Sequence, residues 1–135
     1  MFDDMMAAIE ARPKNLGPMK DANGRAKIKG PCGDTVEVWL RIDGGRIRKA
    51  TFMSDGCGYS QYCCSVAAKL AEGMHTKQAA EMTQQQVLDA VGTLPEDHRH
   101  CALLAANTIK AAIADYRAAP STTSLWQRLK RGFRK

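Results

Sequence analysis

At 135 residues, the chain is long enough for one domain that buries about two-thirds of its unfolded surface, so a core forms without help from disulfides. Hydrophobic and charged fractions of 44% and 25% suit a folded soluble protein and exclude a disordered chain, a collagen-like repeat or a coiled-coil rod. The net charge of +6 is uneven. Arg128, Lys130, Arg131, Arg134 and Lys135 carry five positive charges with no acid after Ser121, which leaves +1 for residues 1–120 and gives the body no basic face for nucleic acid.

No apolar run approaches the roughly 20 residues that span a bilayer. Residues 1–10 carry Asp3, Asp4 and Glu10, where a signal peptide has a basic start and an apolar block. Five cysteines cannot all pair within one chain. Reduced thiols in a cytoplasmic setting are therefore expected, with metal or sulfur chemistry as their use.

Phe2, Met5, Met6 and Ile9 have helical spacing, which predicts a short N-terminal helix, expected to be mobile without a partner. Pro13, Gly17, Pro18, Asn23 and Gly24 punctuate a loop. Residues 25–29 alternate basic and apolar, with Ala26 and Ile28 inward, as an edge strand guarded by lysines does. Pro31 to Asp34 forms a tight turn. The clearest strand is 35–42. Val36, Val38, Leu40 and Ile42 share one face, and Thr35, Glu37, Trp39 and Arg41 the other. Asp43-Gly44-Gly45 supplies the positive-φ positions of a hairpin. The partner strand runs from Arg46 to about Met53, and its alternation slips between Ile47 and Ala50, which calls for a β-bulge.

Helical periods follow. A helix is expected over 59–72, ending at Gly73, with Cys63, Val66, Ala67 and Leu70 on its buried stripe. Two short helices, 76–81 and 83–91, each begin at a threonine suited to capping. A last long helix runs from Asp97 to about Arg117 and ends at Pro120; Ala102, Ala105, Ile109, Ala112, Ile113 and Tyr116 form its apolar stripe. Strands first and helices afterwards predict an α+β fold: a three-stranded antiparallel sheet with helices packed on one face, in two layers.

Cys32, Cys57 and Cys101 lie far apart in sequence, yet each sits at an element boundary. Cys32 is in the turn entering the main strand, Cys57 in the turn from sheet to helix, and Cys101 near the start of the last helix. Such ends can converge at one tip of the domain. Asp34 and His100 add an oxygen and a nitrogen donor. Three thiolates plus a harder ligand suit iron–sulfur chemistry or zinc. The plain alternative for each cysteine is a small buried filler. No Cys-x-x-Cys pair occurs, which weakens a purely structural zinc site.

Pro13-Lys14-Asn15-Leu16-Gly17, Asp21-Ala22-Asn23-Gly24, Cys32-Gly33-Asp34, Gly56-Cys57-Gly58 and His100-Cys101, with the run Ala111 to Tyr116, resemble the IscU/NifU N-terminal family of iron–sulfur cluster assembly scaffolds. The likeness covers about residues 11–117 in order. It implies that Cys32, Cys57 and Cys101 are cluster ligands, that Asp34 governs cluster lability and metal binding, and that His100 is an alternative ligand. It further implies that Cys101 accepts persulfide sulfur from a cysteine desulfurase, and that the finished cluster, most simply 2Fe-2S, passes to apo-proteins.

The function so implied is that of a non-enzymatic scaffold or carrier. The alternative is a zinc-binding persulfide acceptor that builds no cluster, and zinc in the isolated protein fits either. The chain departs from the family where many relatives read Leu-Pro-Pro-Val-Lys, the site of a specialised chaperone. Here it reads Leu94-Pro95-Glu96-Asp97-His98, which argues against chaperone-driven release. Cys63-Cys64 replaces the serines of many relatives. These are expected as core fillers, with a sulfur relay or extra ligand as the alternative, Cys64 being the better placed.

The scaffold is expected over residues 1–119 and a basic amphipathic tail over 120–135, in which Leu125, Trp126, Leu129 and Phe133 line one side of a helix capped by Ser124. Such a tail suits docking to a protein partner or simple solvation, with a membrane surface or nucleic acid as the further alternative, bound weakly and salt-sensitively by five charges. A homo-oligomer is compatible with the sequence. His75 reads as a surface residue, and His98 as an exposed residue at a helix start. Trp39 points away from the apolar strand face, with no sequence feature to say what it rests on.

Overall fold

The computed structural model describes residues 15–30, 33–56, 58–92 and 94–134, with residues 119–134 described by their backbone alone. The expected N-terminal helix lies outside the described residues.

Three strands, β1 (Gly24–Lys29), β2 (Thr35–Asp43) and β3 (Arg46–Ser54), form one antiparallel sheet in the order β1-β2-β3. The alternation of β2 sets its faces. Val36, Val38, Leu40 and Ile42 are buried towards the helices, opposite Phe52 and Ala50 of β3 in register. Gly44 and Gly45 take φ of 61° and 79°, the left-handed values that a two-residue hairpin between right-twisted strands requires. The expected bulge is present. Arg41 pairs with Lys49 and Ile42 with Ile47, so Arg48 is the extra residue. Ile47 and Ala50 are three positions apart, and without an inserted residue one of them would face solvent.

The segment expected to be only loop before β1 does more. Leu16 makes a parallel bridge to Phe52, and Phe52 N–H donates to the Asn15 carbonyl at 3.0 Å. The Asn15 side chain bonds the carbonyl and hydroxyl of Ser65, each at 3.0 Å. Asn23 acts as one more strand residue: its amide donates to the Ile42 carbonyl and its oxygen accepts from Ile42 N–H, both at 2.8 Å.

The helices are α1 (Gly58–Ala71), α2 (Thr76–Ala79), α3 (Gln84–Val91) and α4 (His100–Arg134), with a 3₁₀ turn at Glu96–His98. They cover the apolar sheet face, so the expected α+β arrangement holds. Helix α1 buries Ser60, Cys63, Cys64, Ala67, Ala68 and Ala71, whereas Val66 and Leu70 of the expected stripe are only half-buried at its margin. The small side chains let α1 seat against both β3 and α4, which widens and rotates its buried arc. Thr76 is not the cap of α2. His75 is: its Nδ1 accepts from Lys77 N–H at 3.1 Å, while Gln78 Oε1 accepts from His75 N–H at 3.3 Å. Thr83 caps α3 as expected, in a reciprocal pair with Gln86.

Helix α4 lies against β1 and β2, burying Ala102, Ala105, Ile109, Ala112 and Ile113 completely; Tyr116 is half-buried at the end of that stripe. A Cβ at Gly24 would stand 2.8 Å from the Ala112 carbonyl oxygen, so glycine is what lets the helix close on the start of β1. The helix also departs from expectation at both ends. It begins at His100, because residues 96–98 tighten into the 3₁₀ turn. It passes through Pro120 and continues to Arg134. A proline removes one backbone donor and crowds the preceding turn, and the alanine-rich turn before it, Arg117-Ala118-Ala119, favours continued helix. The residues expected to form a separate tail helix therefore extend α4.

Trp39 is buried on the other sheet face. Its register partner Arg25 holds its guanidinium 5.9 Å from the ring centroid and pairs with Glu37 Oε2 at 2.6 Å. An arginine over an indole face covers it and gains from the ring's negative potential.

Candidate functional site

At the end of the sheet where β1 turns into β2, Asp34, His100 and Cys101 each offer a ligand atom, and these atoms lie within 4.8 Å of one another. Asp34 directly precedes β2, and its backbone closes the β1–β2 turn: Gly30 N–H donates to the Asp34 carbonyl at 2.6 Å, and Gly33 N–H to the Gly30 carbonyl at 3.0 Å. His100 and Cys101 open α4. They reach Asp34, 66 positions earlier in the chain, because α4 lies along the strands with its first turn at this end. Gln84 of α3 donates to the Arg99 carbonyl at 2.9 Å and ties the start of α4 in place.

Cys101 is buried to 1% exposure, whereas Asp34 and His100 are half-buried. The Cys101 sulfur lies 3.8 Å from His100 Nε2. His98, expected at the surface, is half-buried, with its ring 4.3 Å from that of Tyr59 in α1 and 6.5 Å from that of His100. A carboxylate, an imidazole and a thiol converging on one partly open corner form a mixed O/N/S donor set that can grip a borderline or soft metal centre. The first turn of a helix adds an environment that favours anionic sulfur.

Of the five residues expected at the site, the structure thus brings together Asp34, His100 and Cys101. Cys32 and Cys57 lie outside the described residues. Their sequence neighbours are described. Asp34 follows Cys32 by two positions, and Gly56, immediately before Cys57, packs against the Asp34 carboxylate.

Cys63 and Cys64 are both buried in the core. Burial above all raises the Cys64 thiol well above its ordinary 9.0; electrostatic coupling to Cys63, Cys101 and Asp34 raises it further, against a hydrogen bond to Ser60 that lowers it. In the metal-free chain the buried Cys64 thiol therefore favours its protonated form.

Sequence reasoning missed the ties that hold the corner. Thr35 N–H donates to Asp55 Oδ1 at 2.6 Å, and Asp55 N–H donates back to the Thr35 carbonyl at 3.1 Å. Gly56 N–H donates to Ser54 Oγ at 3.1 Å, which bonds the buried Ser60 hydroxyl at 3.2 Å. Only the polar run after β3 hinted at them.

The model of the NifU-like N-terminal domain matches residues 3–123. The iron-sulfur cluster assembly scaffold protein IscU 1 of Archaeoglobus fulgidus is 32% identical over 117 residues, covering 86% of this chain and 76% of that protein. The scaffold protein IscU of Haemophilus influenzae is 34% identical over 111 residues, covering 78% and 87%. Among solved structures, a nitrogen-fixing NifU-like protein (N-terminal) from Brucella abortus superposes with a TM-score of 0.65 over 84% of this chain and 92% of that one, at 20% identity. That likeness speaks to the fold.

Proposed function

This chain belongs to the NifU-like N-terminal domain family, and from that premise we propose that it is a scaffold on which an iron–sulfur cluster is assembled and from which it is passed to apo-proteins. The observation that carries the reading is the meeting of Asp34, His100 and Cys101 within 4.8 Å in a chain whose relatives are named as such scaffolds.

A scaffold must hold its cargo and then give it up. In this reading, Cys32, Cys57 and Cys101 supply thiolates to a 2Fe-2S cluster, and Asp34 or His100 completes the set. A carboxylate oxygen is a hard donor and grips a soft cluster less firmly than a fourth thiolate. Structural zinc in small peptides, by contrast, is held with about 10–16 kcal/mol of apparent free energy. Sulfur arrives when the Cys101 thiolate attacks the outer sulfur of a desulfurase persulfide. The S–S bond of the donor breaks, a new one forms at Cys101, and the desulfurase cysteine leaves as thiolate. The chain itself catalyses no turnover. Its partners are a cysteine desulfurase and apo iron–sulfur clients in the cytoplasm, and residues 120–135 serve as a basic docking extension.

Anaerobic incubation of the chain with ferrous iron, cysteine, a cysteine desulfurase and a thiol, which supplies the two electrons that reduce each persulfide sulfur to sulfide, tests the proposal. A brown chromophore that moves to an apo-ferredoxin is the expected result. Tight, colourless zinc that iron does not displace, with sulfur still accepted at Cys101, would replace it with the persulfide-acceptor reading.

A further inference from the structure

The Asp34 carboxylate occupies the space that a side chain at position 56 would need. A Cβ on Gly56 would stand 2.6 Å from both Cγ and Oδ2 of Asp34, and 3.0 Å from Cβ of Ser60, well inside the roughly 3.5–4.0 Å of ordinary contact. Gly56 does not have a positive φ, so its backbone conformation is open to any residue. What demands glycine is room, and the room is filled by the carboxylate.

The backbones on both sides of the contact are held, so relief has to come from rotation of the Asp34 side chain, which moves the carboxylate. The backbone of Asp34 is held by Gly30, and its neighbour Thr35 is clamped to Asp55 by two hydrogen bonds. Gly56 is anchored through Ser54 to the buried Ser60. We infer that Gly56 is a positioning residue, a seat without a side chain that fixes where the Asp34 carboxylate stands relative to His100 and Cys101. Its bearing on cluster release rests on the reading of Asp34 as a cluster ligand; the seat itself rests on the contact alone.

The test is a mutant cycle in the full chain: parent, Gly56→Ala, Asp34→Ala and the double variant. In thermal unfolding of the metal-free protein, Gly56→Ala should lower the midpoint by several degrees, and adding Asp34→Ala should restore most of that loss, the Ser60 contact accounting for the remainder. The same rescue keeps the test decisive if Gly56→Ala alone does not fold. A loss that persists undiminished beside Asp34→Ala would overturn the inference, because the glycine would then serve the backbone and not the carboxylate.

The second readout is the decay of the anaerobically assembled cluster, followed by visible absorbance. Asp34→Ala should slow it. Gly56→Ala should change the rate in the same direction and by the same factor, and the double variant should add nothing. Decay of Gly56→Ala at the parent rate, beside a slowed Asp34→Ala, would also overturn the seat. Should Asp34→Ala itself decay like the parent, the ligand reading of Asp34 fails, and the unfolding cycle still decides on the seat.

Discussion

Where β2 turns into β3, polar groups are committed to the fold. Thr76 N–H donates to the Gly45 carbonyl at 2.9 Å, Ile47 N–H to the Met74 carbonyl at 2.9 Å, and Gly73 N–H to the Ile47 carbonyl at 2.8 Å; Arg46 reaches the Gly73 carbonyl at 3.0 Å. His75 caps α2 there. At the opposite end of the sheet, backbone ties also hold the turns, Gly30 N–H to the Asp34 carbonyl at 2.6 Å and Asp55 N–H to the Thr35 carbonyl at 3.1 Å, but donor side chains face one another there: Asp34, His100 and Cys101 share one corner. Two histidines next to helix starts thus serve different ends. His75 satisfies a backbone donor, as a cap does, whereas His100 joins a carboxylate and a thiol. One end spends its polar groups on the fold; the other gathers donor atoms that, in the proposed function, hold and release a cluster.

The sharpest way to break this comparison is Cys101→Ser. It should abolish the chromophore after anaerobic reconstitution, read by visible absorbance, while the unfolding midpoint of the metal-free protein stays near that of the parent. A midpoint loss as large as that of a core variant would mean that Cys101 serves the fold first. Ile47→Ala removes a fully buried side chain at the closed end. It should cost about 2–5 kcal/mol in denaturant titration, and the protein that remains folded should hold a cluster for as long as the parent does.

The histidines sharpen the contrast further. His75→Ala should cost about 1 kcal/mol through loss of a cap without altering cluster lifetime. His100→Ala should do the reverse, altering the lifetime with little change in stability. Equal behaviour of the two would erase the distinction.

The smallest effect concerns pH. Because Cys64 keeps its proton in the folded state above its ordinary 9.0, the unfolded chain gives that proton up first. Stability conferred by the neutral thiol is complete below 9.0 and is lost as pH climbs towards the folded value. Cys64→Ala should flatten the alkaline fall of the unfolding free energy, measured by denaturant titration at stepped pH; parallel slopes in parent and variant would clear Cys64 of that role.

Much of this was legible in the chain itself. The alternation of Val36, Val38, Leu40 and Ile42 dictates a half-buried strand, since side chains on extended backbone must point to opposite faces. Asp43-Gly44-Gly45 dictates the hairpin, and the parity slip between Ile47 and Ala50 dictates the bulge. Each of these is local, settled within a few residues by sterics and period. The boundary positions of Asp34 and His100-Cys101 were legible in the same way.

What those residues do together was decided by docking. The wide buried arc of α1, with Cys64 and Ala68 in place of Val66 and Leu70, follows from its packing against β3, α3 and α4 at once. The passage of α4 through Pro120 follows from the helix on either side of it. Asp34 meets His100 and Cys101 only because α4 lies along the strands, and Gly56 matters only because a carboxylate from another loop fills its missing side chain. Periodicity is carried by neighbours in sequence, whereas proximity between residues 66 positions apart is a property of packing, and packing exists only once the sheet and helices have closed on one another.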